Sequence, residues 1–256
     1  MTCDIQILAK DGEALSMLYG YPTESLTDEL EKTLVIMLHD FPGDKAGADN
    51  LYVKLESMFL GKGLHTLRFD FRGCGESGGL EENFTFKSAC EDVQSVLEWA
   101  KEKKGYDRFI LVAEGFGASV GIASMQETIL FQILMWPILD FFQMAENVFH
   151  ASGFEKKAGG KEFITLEDHK IGRALVEELV EADLEPFFET VEVPTLIMHG
   201  VEDKISPVEQ LEIVRTRFQS PRIEITTFHD GEHGLAKPAH RKVMFYHVMQ
   251  FIEKYT

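Results

Sequence analysis

The segment 107–121, DRFILVAEGFGASVG, has the pattern of a nucleophile elbow, in which a strand, a tight turn and a helix lift one side chain above a sheet edge. The apolar run 109–113 predicts the strand, and the spaced glycines after it predict the turn. An elbow normally has the pattern G-x-S-x-G, and here its five positions are 113–117, centred on Gly115. A serine there would attack an acyl carbon while a histidine takes its proton. Glycine has no side chain, so we predict a nucleophile position without a nucleophile.

An overlapping segment, 117–121, matches G-x-S-x-G literally and makes Ser119 an alternative nucleophile. Ser119 falls one turn into the helix that should follow the elbow, where a serine hydroxyl commonly bonds to the preceding turn. For Ser119 to attack a substrate, the strand would have to extend four residues further. Ser77 lies in a glycine-rich loop and is predicted to be a turn residue.

Composition limits the classes of partner. The 256 residues, 45% of them hydrophobic, suit one large α/β domain with an insertion, or at most two domains. A net charge of −18 disfavours nucleic acid and anionic membranes. The three cysteines show neither metal-ligand spacing nor a disulfide framework, and the first residues lack the pattern of a signal peptide. The most apolar segment, 129–145, is interrupted and too short to span a bilayer. We expect a cytoplasmic protein without a membrane span, a nucleic-acid partner, a metal or a cofactor.

Apolar runs alternate with helical patterns along most of the chain. Continuous runs such as 33–38 are typical of strands buried on both faces of a parallel sheet. The alternation predicts a mainly parallel sheet with helices on both sides and right-handed crossovers. Residues 23–32 are predicted to form a loop. The predicted strands are 4–8, 13–22, 33–38, 64–71, 109–113, 133–139, 194–199 and 222–228. The predicted helices lie near 51–59 and 93–105, directly after the elbow, and near 173–180, 207–218 and 241–254.

Ligands of such sheets bind outside the carboxyl ends of the strands. The loops after His39, Phe71, Ala113, Leu139 and the last two strands should therefore line one pocket. About fifty residues after Leu139 lack strand signals and are predicted to cover that pocket. We predict a core formed by residues 1–140 and 191–256, with a small cap insertion at 141–190.

At this point the chain resembles the α/β-hydrolase family, over nearly all of its length. Within the family it is most similar to small bacterial and archaeal esterases of the cinnamoyl esterase and monoacylglycerol lipase type. The resemblance implies the α/β-hydrolase fold and a serine carboxylesterase lineage. It depends on five segments in family order: 39–43 (HDFPG), 70–77 (DFRGCGES), the elbow at 113–117, 199–203 (HGVED) and 231–234 (GEHG).

The resemblance implies roles for four positions besides Gly115. Asp203, in the HGxxD pattern, would be the triad acid that accepts a hydrogen bond from the histidine and fixes its tautomer. His233, in a glycine-flanked loop, would be the general base. Backbone N–H groups of Phe41 and Phe116 would form the oxyanion hole. Without these roles, Asp203 would be a turn aspartate and His233 an exposed loop histidine.

Three further positions depart from the family pattern. Ala113 stands where the family prefers glycine, Glu114 where it commonly has histidine, and Asp40 where glycine usually precedes the oxyanion residue. A carboxylate at Asp40 that points inward would oppose a developing oxyanion, whereas one that points to solvent would only cap a turn. Changes at 113, 114 and 115 together are more typical of natural drift than of an engineered single replacement.

We therefore expect an α/β-hydrolase-fold protein that keeps the acid and the histidine but lacks the serine. Such a protein is a non-catalytic or very weak hydrolase that retains a pocket for a small apolar or ester-like ligand. An active carboxylesterase that uses Ser119 or another nucleophile is one alternative, and a protein-interaction role without a small ligand is another. Five phenylalanines would form an apolar pocket wall or pack individually in the core: Phe41, Phe141, Phe142, Phe187 and Phe188.

Overall fold

The part of the chain that the computed structural model describes, residues 1–23, 27–149 and 153–256, forms ten strands and ten α-helices. Turns of 3-10 helix cover Ala48–Asn50, Glu81–Asn83 and Val208–Gln210, and a π-helical turn covers Ala145–Phe149. The strands are β1 Thr2–Leu8, β2 Ala14–Gly20, β3 Thr33–Leu38, β4 His65–Phe69, β5 Arg108–Glu114, β6 Ile129–Met135, β7 Phe163–Leu166, β8 His169–Gly172, β9 Thr195–Gly200 and β10 Ile223–Phe228. The α-helices are α1 Asp28–Glu31, α2 Leu51–Leu60, α3 Phe86–Lys104, α4 Gly115–Ala123, α5 Phe141–Met144, α6 Phe154–Ala158, α7 Arg173–Glu181, α8 Glu185–Phe188, α9 Leu211–Arg217 and α10 Pro238–Tyr255.

Eight strands form one sheet in the order β1-β2-β4-β3-β5-β6-β9-β10. The six strands from β4 to β10 in this order run parallel, whereas β2 is antiparallel to both β1 and β4. β7 and β8 form a separate antiparallel hairpin. The mainly parallel sheet flanked by helices that the sequence predicted is confirmed.

The central strands are buried because helices cover both faces of the sheet. All six residues of β3 are buried. Successive side chains of a strand point to opposite faces, and accordingly Leu34 and Ile36 pack in one hydrophobic cluster while Val35 and Met37 pack in the other. A continuous apolar run is therefore what this position in the sheet requires.

Strand β6 differs from its predicted range of 133–139. It covers Ile129–Met135, and Trp136 takes a positive φ of 39° that ends the extended backbone. Pro137 follows, and proline has no N–H for a ladder. Ile138 and Leu139 are apolar because they pack in the core from the connecting loop rather than from a strand.

Two further sequence predictions are corrected. Residues 23–32, predicted as a loop, contain the short helix α1, which Thr27 caps by accepting a hydrogen bond from Leu30 N. The segment after Leu139 was predicted to lack strands but contains the hairpin β7–β8. Each of its strands has only four residues, so an alternating pattern is too short to distinguish from a loop.

Helix α7 and strand β8, both within the predicted cap range, are held to neighbouring parts of the chain by two carboxylates. Glu178 on α7 accepts hydrogen bonds from Phe86 N and Lys87 N, at 2.6 and 3.0 Å, at the start of α3. Glu81 accepts from Lys170 N on β8 at 2.7 Å. These contacts hold α7 against the start of α3 and β8 against the turn at Glu81–Asn83, while the division into core and cap stays a prediction.

The five phenylalanines named above differ in burial. Three are buried and pack in the core, one is half-buried, and Phe142 is 58% exposed. Phe41 and Phe116 belong to a stacked aromatic cluster in which Phe41 lies 3.9 Å from Phe84 and Phe116 lies 5.4 Å from Phe141 between ring centroids. The buried members are Phe41, Phe141 and Phe188, and the half-buried one is Phe187.

The loop that carries His233 is positioned by a close backbone approach at the end of β9. A Cβ added to Gly200 would overlap the carbonyl group of Gly231 and would lie 2.8 Å from Glu232 O. We expect Gly200→Ala to destabilise the fold by about 1–3 kcal/mol, because overpacking displaces the backbone.

The measurement is thermal unfolding, with Gly61→Ala as the control. A Cβ at Gly61 would meet only ordinary contacts, at 3.4 Å, and the backbone there is already helical. Equal melting temperatures for Gly200→Ala and the parent would contradict the close approach.

Candidate functional site

Gly115 lies at the junction between β5 and α4, where the sequence placed the elbow. β5 ends at Glu114 and α4 begins directly at Gly115, which has φ +51°. A side chain in this left-handed region costs free energy, whereas glycine occupies it without strain. The backbone therefore keeps the shape of an elbow at a residue that contributes no chemical group.

Asp203 and His233 form the hydrogen bond that the sequence analysis expected. His233 Nδ1 lies 2.8 Å from Asp203 Oδ2. The other carboxylate oxygen of Asp203 accepts hydrogen bonds from Ile205 N and Ser206 N, each at 2.9 Å. Because the Asp203 side chain is fully buried and held by two backbone donors, it fixes the orientation of the imidazole.

Asp40 points into the site and contacts both backbone donors expected to form the oxyanion hole. Its Oδ1 accepts hydrogen bonds from Phe41 N at 2.8 Å and from Phe116 N at 2.7 Å. Its Oδ2 lies 3.1 Å from His233 Nε2. The carboxylate thus engages the two amides and the histidine that would act on a substrate acyl group.

The same carboxylate occupies the space of the missing side chain. A Cβ added to Gly115 would overlap all three terminal atoms of Asp40, the carboxyl carbon and both oxygens. Glycine at 115 and aspartate at 40 are therefore complementary, since the carboxylate fits only where no side chain projects from residue 115.

His233 is an imidazolium in this arrangement. Burial opposes the charge, but hydrogen bonds to Asp203 and Asp40, together with their negative charges, raise the pKa of His233 to about 10. Both ring nitrogens then carry protons, and each donates to a carboxylate. A protonated imidazole cannot accept a proton, so this arrangement opposes the action of His233 as a general base.

Glu114, the other unusual carboxylate, lies behind the elbow rather than in the site. It is 1% exposed, and its Oε1 accepts a hydrogen bond from Ala48 N at 3.1 Å. Burial first, and then the charge of Asp40, raise the pKa of Glu114 to about 8. Glu114 is therefore largely neutral at pH 7.

The two serines considered from the sequence both have structural partners. Ser119 is fully buried within α4, and its hydroxyl donates to Ile138 O. Ser77 Oγ donates to Asp70 O at 2.6 Å and accepts from Ser16 N at 2.8 Å. Neither hydroxyl is hydrogen-bonded to a histidine among the described residues.

Sequence reasoning missed how Asp40 and His199 complete the site. It left open which way Asp40 points, although the paired departures at 40 and 115 were a signal that the two residues are in contact. His199, at the end of β9, is fully buried, lies 3.7 Å from Asp203 Oδ2, and donates from Nε2 to Ser206 O at 2.7 Å. It therefore helps to hold the loop that presents Asp203.

The described ranges 1–23, 27–149 and 153–256 contain neither a metal-site pattern nor a membrane-span pattern. No group of three or more His, Cys, Asp or Glu residues in them has the arrangement of a metal site. No helix in them is long and apolar enough to cross a membrane.

Similarity to solved structures identifies the fold that carries this site. No family model and no curated protein sequence matches the chain. It is similar to Est1E from Butyrivibrio proteoclasticus, in a structure with ferulic acid bound, at 20% identity and a TM-score of 0.79 over 98% of each chain. It is also similar to the esterase Pf2001 from Pyrococcus furiosus, at 20% identity and a TM-score of 0.73, over 100% of this chain and 93% of that one. Alpha/beta hydrolase domain-containing protein 10 from mouse is 18% identical, with a TM-score of 0.77 over 99% of this chain and 100% of that one. Sheet order, elbow and these similarities establish that the chain has the α/β-hydrolase fold.

Proposed function

We propose that this protein shares the α/β-hydrolase fold of the esterases but does not hydrolyse esters. It keeps the acid and the histidine as an ion-paired structural unit. The observation that carries the proposal is the position of the Asp40 carboxylate. It takes up the volume of the serine side chain and both amide donors of the oxyanion hole. Neither a nucleophile nor an unoccupied oxyanion hole is present at the elbow.

Electrostatics supports the same conclusion. Hydrolysis of an ester requires donors aimed at a developing negative charge. Here those donors already bind a carboxylate, and a second negative oxygen beside it would be repelled. The base is also lost, because His233 is protonated between Asp40 and Asp203. The nucleophile, the unoccupied oxyanion hole and the general base that acyl transfer requires are therefore all lacking at the elbow.

A small apolar or ester-like ligand would bind above this centre in the proposed function. Asp40 and His233 keep 22% and 17% of their side-chain surface exposed, so solvent reaches their outer edges. Aromatic rings lie directly behind the two amide donors, where Phe41 and Phe116 have centroids 6.2 Å apart. A ligand held there would be bound without being cleaved.

The first prediction concerns ester hydrolysis. We expect the protein to turn over a p-nitrophenyl ester no faster than the residual catalysis of triad enzymes without a nucleophile, about 10³–10⁴-fold over water. His233→Ala should leave that rate unchanged. We also expect no labelling of Ser119 by a fluorophosphonate, because its hydroxyl is buried and bonded to a carbonyl group.

Turnover typical of esterases that is abolished by His233→Ala would overturn the proposed function. Labelling at Ser119 would instead establish the active carboxylesterase alternative. Mass spectrometry of the labelled protein distinguishes these outcomes.

The second prediction tests the complementarity of residues 40 and 115. Gly115→Ser should remain inactive and lose about 1–3 kcal/mol of stability, since a side chain is strained at φ +51° and collides with Asp40. The double variant Gly115→Ser/Asp40→Gly should regain measurable ester hydrolysis, because it opens the oxyanion hole and frees His233 to act as a base.

Asp40→Gly alone is the matched control and should stay inactive. Ester hydrolysis and melting temperature are measured for all four proteins. A Gly115→Ser protein more stable than the parent would show that residue 115 is not at a strained elbow. A folded double variant without any hydrolysis would show that the site lacks more than the serine.

The third prediction is a loss of stability with rising pH. The pKa of Glu114 rises from 4.5 to about 8 on folding, and that of His233 from 6.5 to about 10. In both cases the folded state binds more protons than the unfolded state between the two values. As pH rises to about 8, the folded state loses the stability that comes from protonated Glu114. As pH rises further to about 10, it loses the stability that comes from protonated His233.

Thermal unfolding between pH 6 and pH 10 measures this effect. We expect His233→Gln to flatten the decline in the alkaline part of this range, where the titration of Glu114 is complete. His229→Gln is the control, because His229 is exposed in the same loop region. Parallel declines for the parent and His233→Gln would contradict a protonated His233.

A further inference from the structure

A cleft lies between α2 and the start of α10, and none of its lining residues belongs to the elbow at 113–117. Its volume is about 510 Å³, within the range of small-molecule sites. Lys54, Arg241 and Lys242 line it together with Asp49, and Pro238 and Phe245 contribute apolar surface. The cleft is therefore mixed in character, with a charged side and an apolar side.

The charge of this cleft is opposite to that of the protein. The whole chain carries 43 acidic and 25 basic residues, yet three cations and one carboxylate line the cleft. Lys54 and Lys242 are exposed, and neither forms an ion pair with any residue in the described part of the chain. On such an acidic surface, cations are usually interspersed with the more numerous carboxylates. A local excess of cations therefore favours the binding of an anion.

The positive end of helix α10 lies at this cleft, where the carboxylate of Asp230 is hydrogen-bonded to Lys237 Nζ and His240 Nε2. The helix has 18 residues, begins at Pro238, and has no acidic residue in its first turn. Its N-cap residue, Lys237, makes no side-chain capping hydrogen bond. Backbone N–H groups at such an end carry partial positive charge and commonly bind phosphate or carboxylate groups.

Arg241 provides an independent observation that points to a ligand. Its side chain is 10% exposed, its guanidinium lies 5.3 Å from the centroid of the Trp136 ring, and Nη1 has no hydrogen-bond partner among the described residues. Nη2 donates to Ala48 O at 3.2 Å and lies 3.7 Å from the exposed carboxylate of Asp49. Burial lowers the pKa of Arg241 even though Glu114 and Asp49 oppose the shift. The buried guanidinium is thus incompletely compensated by negative charge.

We propose that this cleft binds a small molecule that carries a phosphate or carboxylate group on an apolar body. The oxyanion is held by Lys54 and Lys242, with the charge of Arg241 beneath it. The apolar body lies against Pro238 and Phe245. The site is separate from the Asp40–His233 centre and does not depend on whether that centre is catalytic.

Binding of phenyl phosphate to the full-length protein, measured by isothermal titration calorimetry, tests the proposal. Inorganic phosphate and phenol are measured beside it, and we expect both to bind more weakly than phenyl phosphate. The double variant Lys54→Gln/Lys242→Gln should bind phenyl phosphate about tenfold more weakly. Asp49→Asn, which removes the competing carboxylate, should bind it several-fold more tightly.

The control is Lys87→Gln/Lys103→Gln, which removes two exposed lysines from α3 and lowers the net charge equally. This variant should bind phenyl phosphate as the parent does. Equal losses in the two double variants would attribute binding to overall charge and overturn the site. Absence of phenyl phosphate binding by the parent, or binding no tighter than that of inorganic phosphate, would overturn the assigned ligand class.

Discussion

The site depends on one carboxylate that is shared between two backbone amides and an imidazole. Asp40 contacts Phe41 N, Phe116 N and His233 Nε2 at hydrogen-bonding distances. Hydrogen bonds with a charged partner are shorter and stronger than neutral ones. Asp40 therefore links three separate parts of the chain: the loop after β3, the elbow before α4 and the loop after β10.

Glycine at residue 115 and aspartate at residue 40 are coupled by geometry. Because Gly115 has no side chain, the Asp40 carboxylate has room beside it. Without that carboxylate, the two amide donors would face an unfilled space. Buried donors without partners cost free energy. In the proposed function, this pair forms a satisfied internal network where an esterase would bind a transition state. The histidine keeps its acid partner because Asp203 is fixed by its own loop, independently of the elbow.

The scaffold explains why this network stays in place. β3, β5, β9 and β10 all end at the same edge of the sheet, so short loops are enough to bring Asp40, Gly115, Asp203 and His233 together. The close approach of Gly200 and Gly231 fixes the loop that carries His233. Such a frame does not require catalysis to be retained, since its stability comes from buried strands and helices rather than from the chemistry at their ends.

The sequence by itself determined the sheet, the elbow and the acid–histidine pair. Continuous apolar runs, glycine spacing and the order of the motifs are local signals, and β3, β5 and the Asp203–His233 contact follow from them. Local signals were insufficient for the end of β6 and for the short hairpin β7–β8, where tertiary packing decides. They were also insufficient for Asp40, because a side chain adjacent to a turn can point outward or inward with the same sequence. Only the tertiary structure placed its carboxylate in the space left by Gly115, since that space is formed by loops distant in the chain.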